Sequence, residues 1–353
     1  MEEFKNEKLL NIIHFSKDFT INDKKENIRD ITNVNNIIKN NISNGYEVVK
    51  MFGIGLHGKL YLLKDKFGKQ YICKKLSKSN ITQEKKRQLD FELKLLKYLS
   101  SNQSVKKHIN PCINYHISNN DIFTIFPITD AISLSKFKGY LDKVTPKNKI
   151  EIVKKLVKNI LQAISKIHKL NISHQNINDS NILVSINQKD DDIIIKFTEF
   201  GLGCGYYKIP KGDEYNIKDN KYILQKCYNP ILNKEKNHRI VKTDLEHLKN
   251  SKFLENARKI DDWRISLILL DLIINNSKEK LVDCSLTKYP EYSSSFENNV
   301  LQNILTLLEN DKINNDYMFY LKEILNNLCV SSENRKNSNY VLDNLIFYEK
   351  YEE

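Results

Sequence analysis

A chain of 353 residues, 40% hydrophobic and carrying 18 Tyr and 15 Phe, can bury a real core in one large domain or two lobes, which argues against global disorder. The formal charge of +12 favours acidic partners, but no compact Arg-rich or aromatic-interleaved patch accompanies it, so a solvated Lys-rich surface is expected. A basic nucleic-acid-binding protein stays as an alternative supported by net charge alone. Six scattered cysteines without a C-x-x-C pair speak against a zinc site or a disulfide framework and fit a reducing compartment. The opening MEEFKNEKLL lacks the order of a signal peptide, and no run approaches the ~20 apolar residues of a membrane span. An intracellular, cytoplasmic protein is therefore expected. The bias towards Lys, Asn and Ile is one that AT-rich genomes produce, as in large DNA viruses or some protists; a viral origin would place the protein in host cytoplasm or virion.

Residues 1–45 mix charges with short apolar clusters and read as a partly helical N-terminal extension. From Tyr46 the pattern becomes strand-like, alternating apolar and polar residues around two turns. The first turn carries Gly53, Gly55 and Gly58 as G-x-G-x-x-G. A strand follows these glycines, whereas a dinucleotide-binding fingerprint leads into a helix. After a second hairpin at Lys66–Gly68, a third strand holds Ile72 and Lys74 on one face by alternation, with Lys75 on the other. Thr82 to Leu99 has helical period through Leu89, Leu93 and Leu96, and places Glu92 eighteen residues after Lys74.

Two more strands are expected within 108–127, ending at Pro127–Ile128. Thr145–Pro146 opens a helix, Thr as N-cap and Pro in the first turn, whose apolar stripe runs from Ile150 to Ile167. The stretch ISHQNINDSNILV, Ile172 to Val184, follows and is succeeded by a strand to Phe197 and by Glu199-Phe200-Gly201. Asp261-Asp262-Trp263 opens a strongly apolar helix, and Arg335 lies late in the chain.

These residues, in this order, resemble the protein kinase superfamily over about 46–349. His174, Asn176 and Asn181 are spaced as in the catalytic-loop pattern H-R-D-L-K-x-x-N, and Glu199-Phe200-Gly201 stands where the family has D-F-G. The resemblance implies an α+β, two-lobed kinase fold: a small, largely antiparallel lobe with one helix (46–127) and a mainly helical lobe (128–349). It implies that Gly53, Gly55, Gly58, Lys74 and Glu92 bind nucleotide, with Glu92 pairing Lys74, and that ATP and Mg2+ are the cofactors. Asn181 and Glu199 would be the metal ligands. The late Arg335 would pair with the glutamate closing the activation segment. Glu246, fifteen residues before Asp261, fits that role better than the Tyr228-Asn229-Pro230 ending.

The departures from the family bear on activity. The catalytic Asp is Asn176, the loop Lys is Asn178, and the Arg that receives a phosphorylated residue is Gln175. An amide is no useful base, and loss of a general base costs ~10²–10⁴ in rate. Glutamate at 199 keeps the carboxylate but moves its oxygens by ~1.5 Å, about one bond. The expectation is a catalytically impaired pseudokinase that binds or regulates a protein partner. The alternative is a weak or atypical Ser/Thr kinase using Asp179, or substrate positioning alone.

Overall fold

The computed structural model describes residues 26–42, 45–55, 58–77, 83–129, 131–187, 192–200, 203–208, 222–225, 252–275, 282–284, 288–310 and 313–352. The chain divides into two compact units between Ala131 and Ile132. Each builds its own core.

The first unit begins with helix α1 (Glu26–Asn41) and continues through β1 (Glu47–Gly55), β2 (Gly58–Lys64), β3 (Gln70–Ser77), helix α2 (Gln83–Ser101), β4 (Asn114–Ile117) and β5 (Asp121–Pro127). The strands form one antiparallel sheet in the order β1-β2-β3-β5-β4. Alternation along β3 separates two apolar clusters. Tyr71 and Cys73 join Tyr61, Leu63, Phe123 and Ile125 in packing against Val34, Ile38 and Ile42 around α1. Leu76 packs instead with Ile122 and with Leu89 and Leu93 of α2. A helix thus packs on each face of the sheet.

α1 is also fastened by charge. Asp30 bonds Lys59 Nζ at 2.6 Å, the Tyr61 hydroxyl at 2.7 Å and Lys75 Nζ at 3.2 Å. Burial would raise the Asp30 carboxyl, but these three partners outweigh it and hold it below its ordinary range. The second hairpin is shaped by Asp65, whose Oδ1 accepts from Phe67 and Lys69 N–H groups at 2.9 Å while Gly68 takes φ +84°.

The second unit starts with β6 (Ile132–Ser133), α3 (Leu134–Leu141), the long α4 (Pro146–Lys169) and β7 (Ile172–Ser173). β8 (Ile182–Asn187) pairs with β6 and with β9 (Asp192–Phe197), and β10 (Cys204–Lys208) pairs with β7 and β11 (Tyr222–Gln225). Then come α5 (Lys252–Ile274) and a helical run, Ser294–Phe296, that passes through a π-helical turn, Glu297–Leu301, into α6 (Gln302–Glu309). α7 (Met318–Asn327) and α8 (Ser338–Glu352) end it. Together the two units give the α+β architecture expected from the sequence: an antiparallel sheet with helices, then a mainly helical region.

Thr145 occupies the N-cap of α4 with Pro146 in the first turn, as expected, although its side chain makes no capping bond. One local expectation needs correction. α5 opens at Lys252, nine residues before Asp261. KFLENARKI contains no breaker and turns Leu254 and Ala257 inward at helical spacing, so the helix extends back through it. Among the described residues no helix is long and apolar enough to cross a membrane.

Candidate active site

The 172–184 loop hangs on one buried carboxylate. Asp261 of α5 has no exposed surface. Its Oδ2 accepts from the Ser173 hydroxyl and the His174 N–H at 2.7 Å each, and lies 3.0 Å from His168 Nε2. Its Oδ1 accepts from Gln175 N–H at 2.8 Å. A long apolar helix with an acid in its middle thus fixes three consecutive residues of the loop. Gln175 adopts φ +60° and is fully buried; its amide donates to the Ala257 carbonyl and the Ser173 hydroxyl at 2.6 Å each. A non-glycine residue in this region costs ~1–2 kcal/mol. The backbone bonds to Asp261 and from Arg264 to the Gln175 carbonyl (3.0 Å) hold it there. The position that differs from the family's Arg is therefore turned into the interior of the unit.

His174 is equally enclosed, with its ring 4.3 Å from that of Phe200 and 5.4 Å from that of Phe197. Nε2 lies 2.9 Å from the Thr198 carbonyl and must donate to it, while Nδ1 accepts from the Asn176 N–H at 3.2 Å. Acceptance at Nδ1 requires the neutral ring. Burial depresses the imidazole to about 4, although Asp261 nearby works in the opposite direction. The unfolded chain takes up this proton near pH 6.5, and the folded chain only near 4. Stability is expected to fall by about 3 kcal/mol as the pH drops from 6.5 to 4. Denaturant titrations across that window should show the fall in wild type and a clear reduction of it in His174→Phe. An identical slope in both would refute the assignment.

Three asparagines shape the turn beyond. Asn178 Oδ1 accepts from Ser180 N–H (3.0 Å) and Asn181 N–H (3.2 Å), and its Nδ2 donates to the Asn176 carbonyl (3.2 Å). Its side chain folds back on the loop, as Asn does in turns. Asn181 Nδ2 donates to the same carbonyl at 2.8 Å. Asn176 Nδ2 donates to the Glu199 carbonyl at 3.3 Å, and Glu199 is exposed with φ +61°. Asn181 and Glu199 therefore each lie one hydrogen bond from Asn176.

Asp179 is engaged elsewhere. Lys138 of α3 bridges the carboxylates of Asp179 and Asp271, the latter on α5. Burial acts to lower the Lys138 ammonium, but the two carboxylates outweigh it and keep it charged. To take a proton from a substrate hydroxyl, Asp179 would have to leave this pair. This counts against the alternative that made it the base. The sequence reading missed Lys138 and Asp271, although a lone acid inside the apolar run LILLDLII signals a buried partner.

On the first unit, Lys74 and Lys75 point to opposite faces of the sheet. Lys75 is bound to Asp30 at 3.2 Å and lies 3.7 Å from Asp121. Lys74, between Cys73 and Lys75, shares the face of Ile72 and Leu76, the face on which α2 packs. Glu92, one residue before the packed Leu93, sits close enough to Cys112 to help burial raise that thiol to about 12. Gly53 and Gly55 lie in β1, and Gly55 is paired with Gly58 across the hairpin. Gly58 has φ +126°, and a Cβ there would stand 2.3 Å from the Lys75 carbonyl oxygen. Close packing of β2 on β3 therefore demands this glycine whatever else the turn does.

Arg335 is 7% exposed and stacks over Trp263, its guanidinium 5.0 Å from the ring centroid. It donates to the carbonyls of Leu328 (2.9 Å), Lys259 (2.8 Å) and Val330 (2.7 Å). Its expected partner Glu246, like Tyr228 and Pro230, lies outside the described residues. Gly201 does too.

Residues 46–223, just over half of the chain, match the family description of the protein kinase domain. The chain is similar to calcium-dependent protein kinase 4 of Plasmodium falciparum, 30% identical over 164 residues, 46% of this chain and 29% of that protein. It is similar to the probable serine/threonine-protein kinase fnkE of Dictyostelium discoideum, 27% identical over 213 residues, 58% of this chain and 15% of that one. To the human dual specificity tyrosine-phosphorylation-regulated kinase 3 it is 24% identical over 179 residues, 46% of this chain and 26% of that one. The matches span less than a third of each of these relatives. Protein kinase domains generally bind ATP and Mg2+. By the family match, by the antiparallel sheet of its first unit and by the loop that Asp261 anchors in its second, the chain belongs to the protein kinase family.

Proposed function

We propose that the chain is a catalytically impaired protein kinase that serves as a binding or regulatory protein and retains nucleotide binding. The observation that carries this is the amide of Asn176, which donates to the Glu199 carbonyl at 3.3 Å. A carboxylate at 176 could not make that bond, and an amide cannot accept a substrate proton at neutral pH. Asn178, spent on its own turn, supplies no charge to a moving phosphate. Orientation of a hydroxyl and its deprotonation are the parts of phosphoryl transfer that the loop contributes, and both fall on these positions.

Lys74, with its side chain on the α2 face, is the proposed phosphate-binding lysine, supported by Glu92 and by the Gly53–Gly58 turn. Asn181 and Glu199 offer an amide oxygen and a carboxylate, donors suited to a hard cation that keeps several waters and substrate phosphate oxygens as its other ligands. Mg2+ bound there would neutralise charge on the nucleotide phosphates. Among the described residues no cluster of three His, Cys, Asp or Glu could hold a metal alone, so binding would depend on the nucleotide.

Melting of the full chain with ATP, with and without Mg2+, tests this beside a phosphotransfer assay. A Kd of about 100 μM corresponds to about −5.5 kcal/mol and predicts a rise of roughly 2–4 °C at millimolar ATP. Lys74→Ala should abolish the rise, and wild-type phosphotransfer should stay at background. A shift that survives Lys74→Ala would mean that another residue holds the phosphates. Robust Mg2+-dependent phosphorylation would remove the impaired reading.

A further inference from the structure

The ladder between β2 and β3 ends, on the side of the glycine turn, in a rung of two lysines: Lys59 stands directly opposite Lys75. The rungs behind it on the same face, Tyr61 opposite Cys73 and Leu63 opposite Tyr71, are apolar and buried against α1. Each lysine adjoins a residue assigned to nucleotide. Lys59 follows Gly58, and Lys75 follows Lys74, whose side chain takes the other face. The backbones meet here too, since a Cβ on Gly58 would stand 2.3 Å from the Lys75 carbonyl oxygen. A slip of this last rung would shift the root of the turn against the strand that carries Lys74.

Like charges directly opposite one another on a sheet repel, and burial weakens the screening that salt provides. Asp30 of α1 lies between the two ammonium groups, 2.6 Å from Lys59 and 3.2 Å from Lys75, and all three side chains are partly buried. Asp121, 3.7 Å from Lys75, relieves that lysine in part; Asp30 is the acid that bridges both. β1 pairs with β2 through two register shifts, between Val48 and Lys50 and between Met51 and Gly53, so the regular ladder that locates the turn is the one with β3. α1 precedes residues 46–223, so this counter-charge comes from outside the segment that matches the kinase family.

We propose that Asp30 is a positioning residue for the nucleotide site. From the face of the sheet opposite Lys74 it neutralises the Lys59–Lys75 rung and so holds the root of the glycine turn in the register that receives phosphate. The effect on ATP rests on the nucleotide reading above, whereas the hold on the rung does not. Displacing α1 would then weaken nucleotide binding without a contact to the nucleotide.

Amide hydrogen exchange of the full chain without nucleotide, beside calorimetric titration with ATP and Mg2+, tests it. Asp30→Asn removes the charge but keeps the size and an acceptor for the Tyr61 hydroxyl. It should speed exchange at Gly58–Leu60 at least tenfold more than at Leu62–Lys64, and weaken ATP binding at least fivefold. Adding Lys59→Gln removes one of the repelling charges and should return both quantities to within twofold of wild type. Asn35→Ala loses a different α1 fastening, the bond from the Val48 N–H at 3.1 Å. It should lower the melting temperature yet leave the β2 exchange pattern and ATP affinity as in wild type. Equal losses in Asp30→Asn and the double variant would make Asp30 a fastener of α1 alone and overturn the proposal. An exchange pattern or a measurable ATP affinity that Asp30→Asn leaves unchanged overturns it as well. Exchange in the predicted order with no ATP binding by wild type would uphold the rung and remove the nucleotide reading.

Discussion

Asp261→Ala is expected to destabilise the second unit by about 3–5 kcal/mol, among the largest effects a single side chain here can have. The carboxylate is fully buried and receives Ser173, His174 and Gln175 of the loop, along with His168. Alanine would leave the His174 and Gln175 N–H groups buried without acceptors, each costing about 1–3 kcal/mol before relaxation, while the Ser173 hydroxyl could still donate to the Ala257 carbonyl at 3.0 Å. Asp261→Asn keeps the shape but turns a donor towards those N–H groups, so it should recover little. Burial alone would raise the Asp261 carboxyl; the bond from His168 and the loop donors outweigh it and hold it below 3.8. Its contribution is therefore complete above the unfolded value and is lost as the pH falls through the lower, folded one. This window lies below that of His174, so the two losses separate on a pH axis. Equilibrium unfolding in urea reads both. A loss under 1 kcal/mol for Asp261→Ala would mean that the loop is held by other contacts.

The sequence carried the fold because its periodicities are clean. β3 carries apolar residues on both faces, so its two-residue period, rather than an apolar–polar pattern, assigns Lys74 and Lys75 to opposite faces, and the stripe of α4 runs unbroken to Ile167. The positions of His174, Asn176 and Asn181 were legible for the same reason: spacing along a short loop between two regular elements survives in one dimension. What was not legible is pairing across long separations. Lys138, Asp179 and Asp271 lie on three elements, and no local pattern announces their meeting. The start of α5 was missed because its first turns, KFLENARKI, look polar, and only tertiary burial of Leu254 and Ala257 reveals the inward face. The mixed composition of α1 likewise hid Asp30, which gathers Lys59, Tyr61 and Lys75 from two strands.

Restoring the missing groups should produce an ordered series in phosphotransfer. Wild type is expected at background and Glu199→Asp close to it, since a better metal ligand supplies no base. The triple variant Asn176→Asp, Asn178→Lys, Glu199→Asp should be highest, by up to ~10²–10⁴ if a general base is what limits the rate. The local geometry sets a cost on this gain. Asn178→Lys removes the side-chain acceptor for the Ser180 N–H, while the Asn181 N–H keeps the backbone carbonyl of residue 178, and Asn176→Asp exchanges a donor to the Glu199 carbonyl for a carboxylate facing it. Each lost bond is worth about 0.5–1.5 kcal/mol, so the triple variant should melt lower than wild type while working faster. Asp179→Asn provides the control. It breaks the pairing with Lys138 and should cost stability without touching the rate of the triple variant beyond that. The opposite pattern, a wild-type rate lost in Asp179→Asn and indifferent to Asn176→Ala, would make Asp179 the base. It would also require Lys138 to release it during turnover. A silent triple variant that still binds ATP would place the defect beyond these three side chains and leave partner binding as the function to pursue.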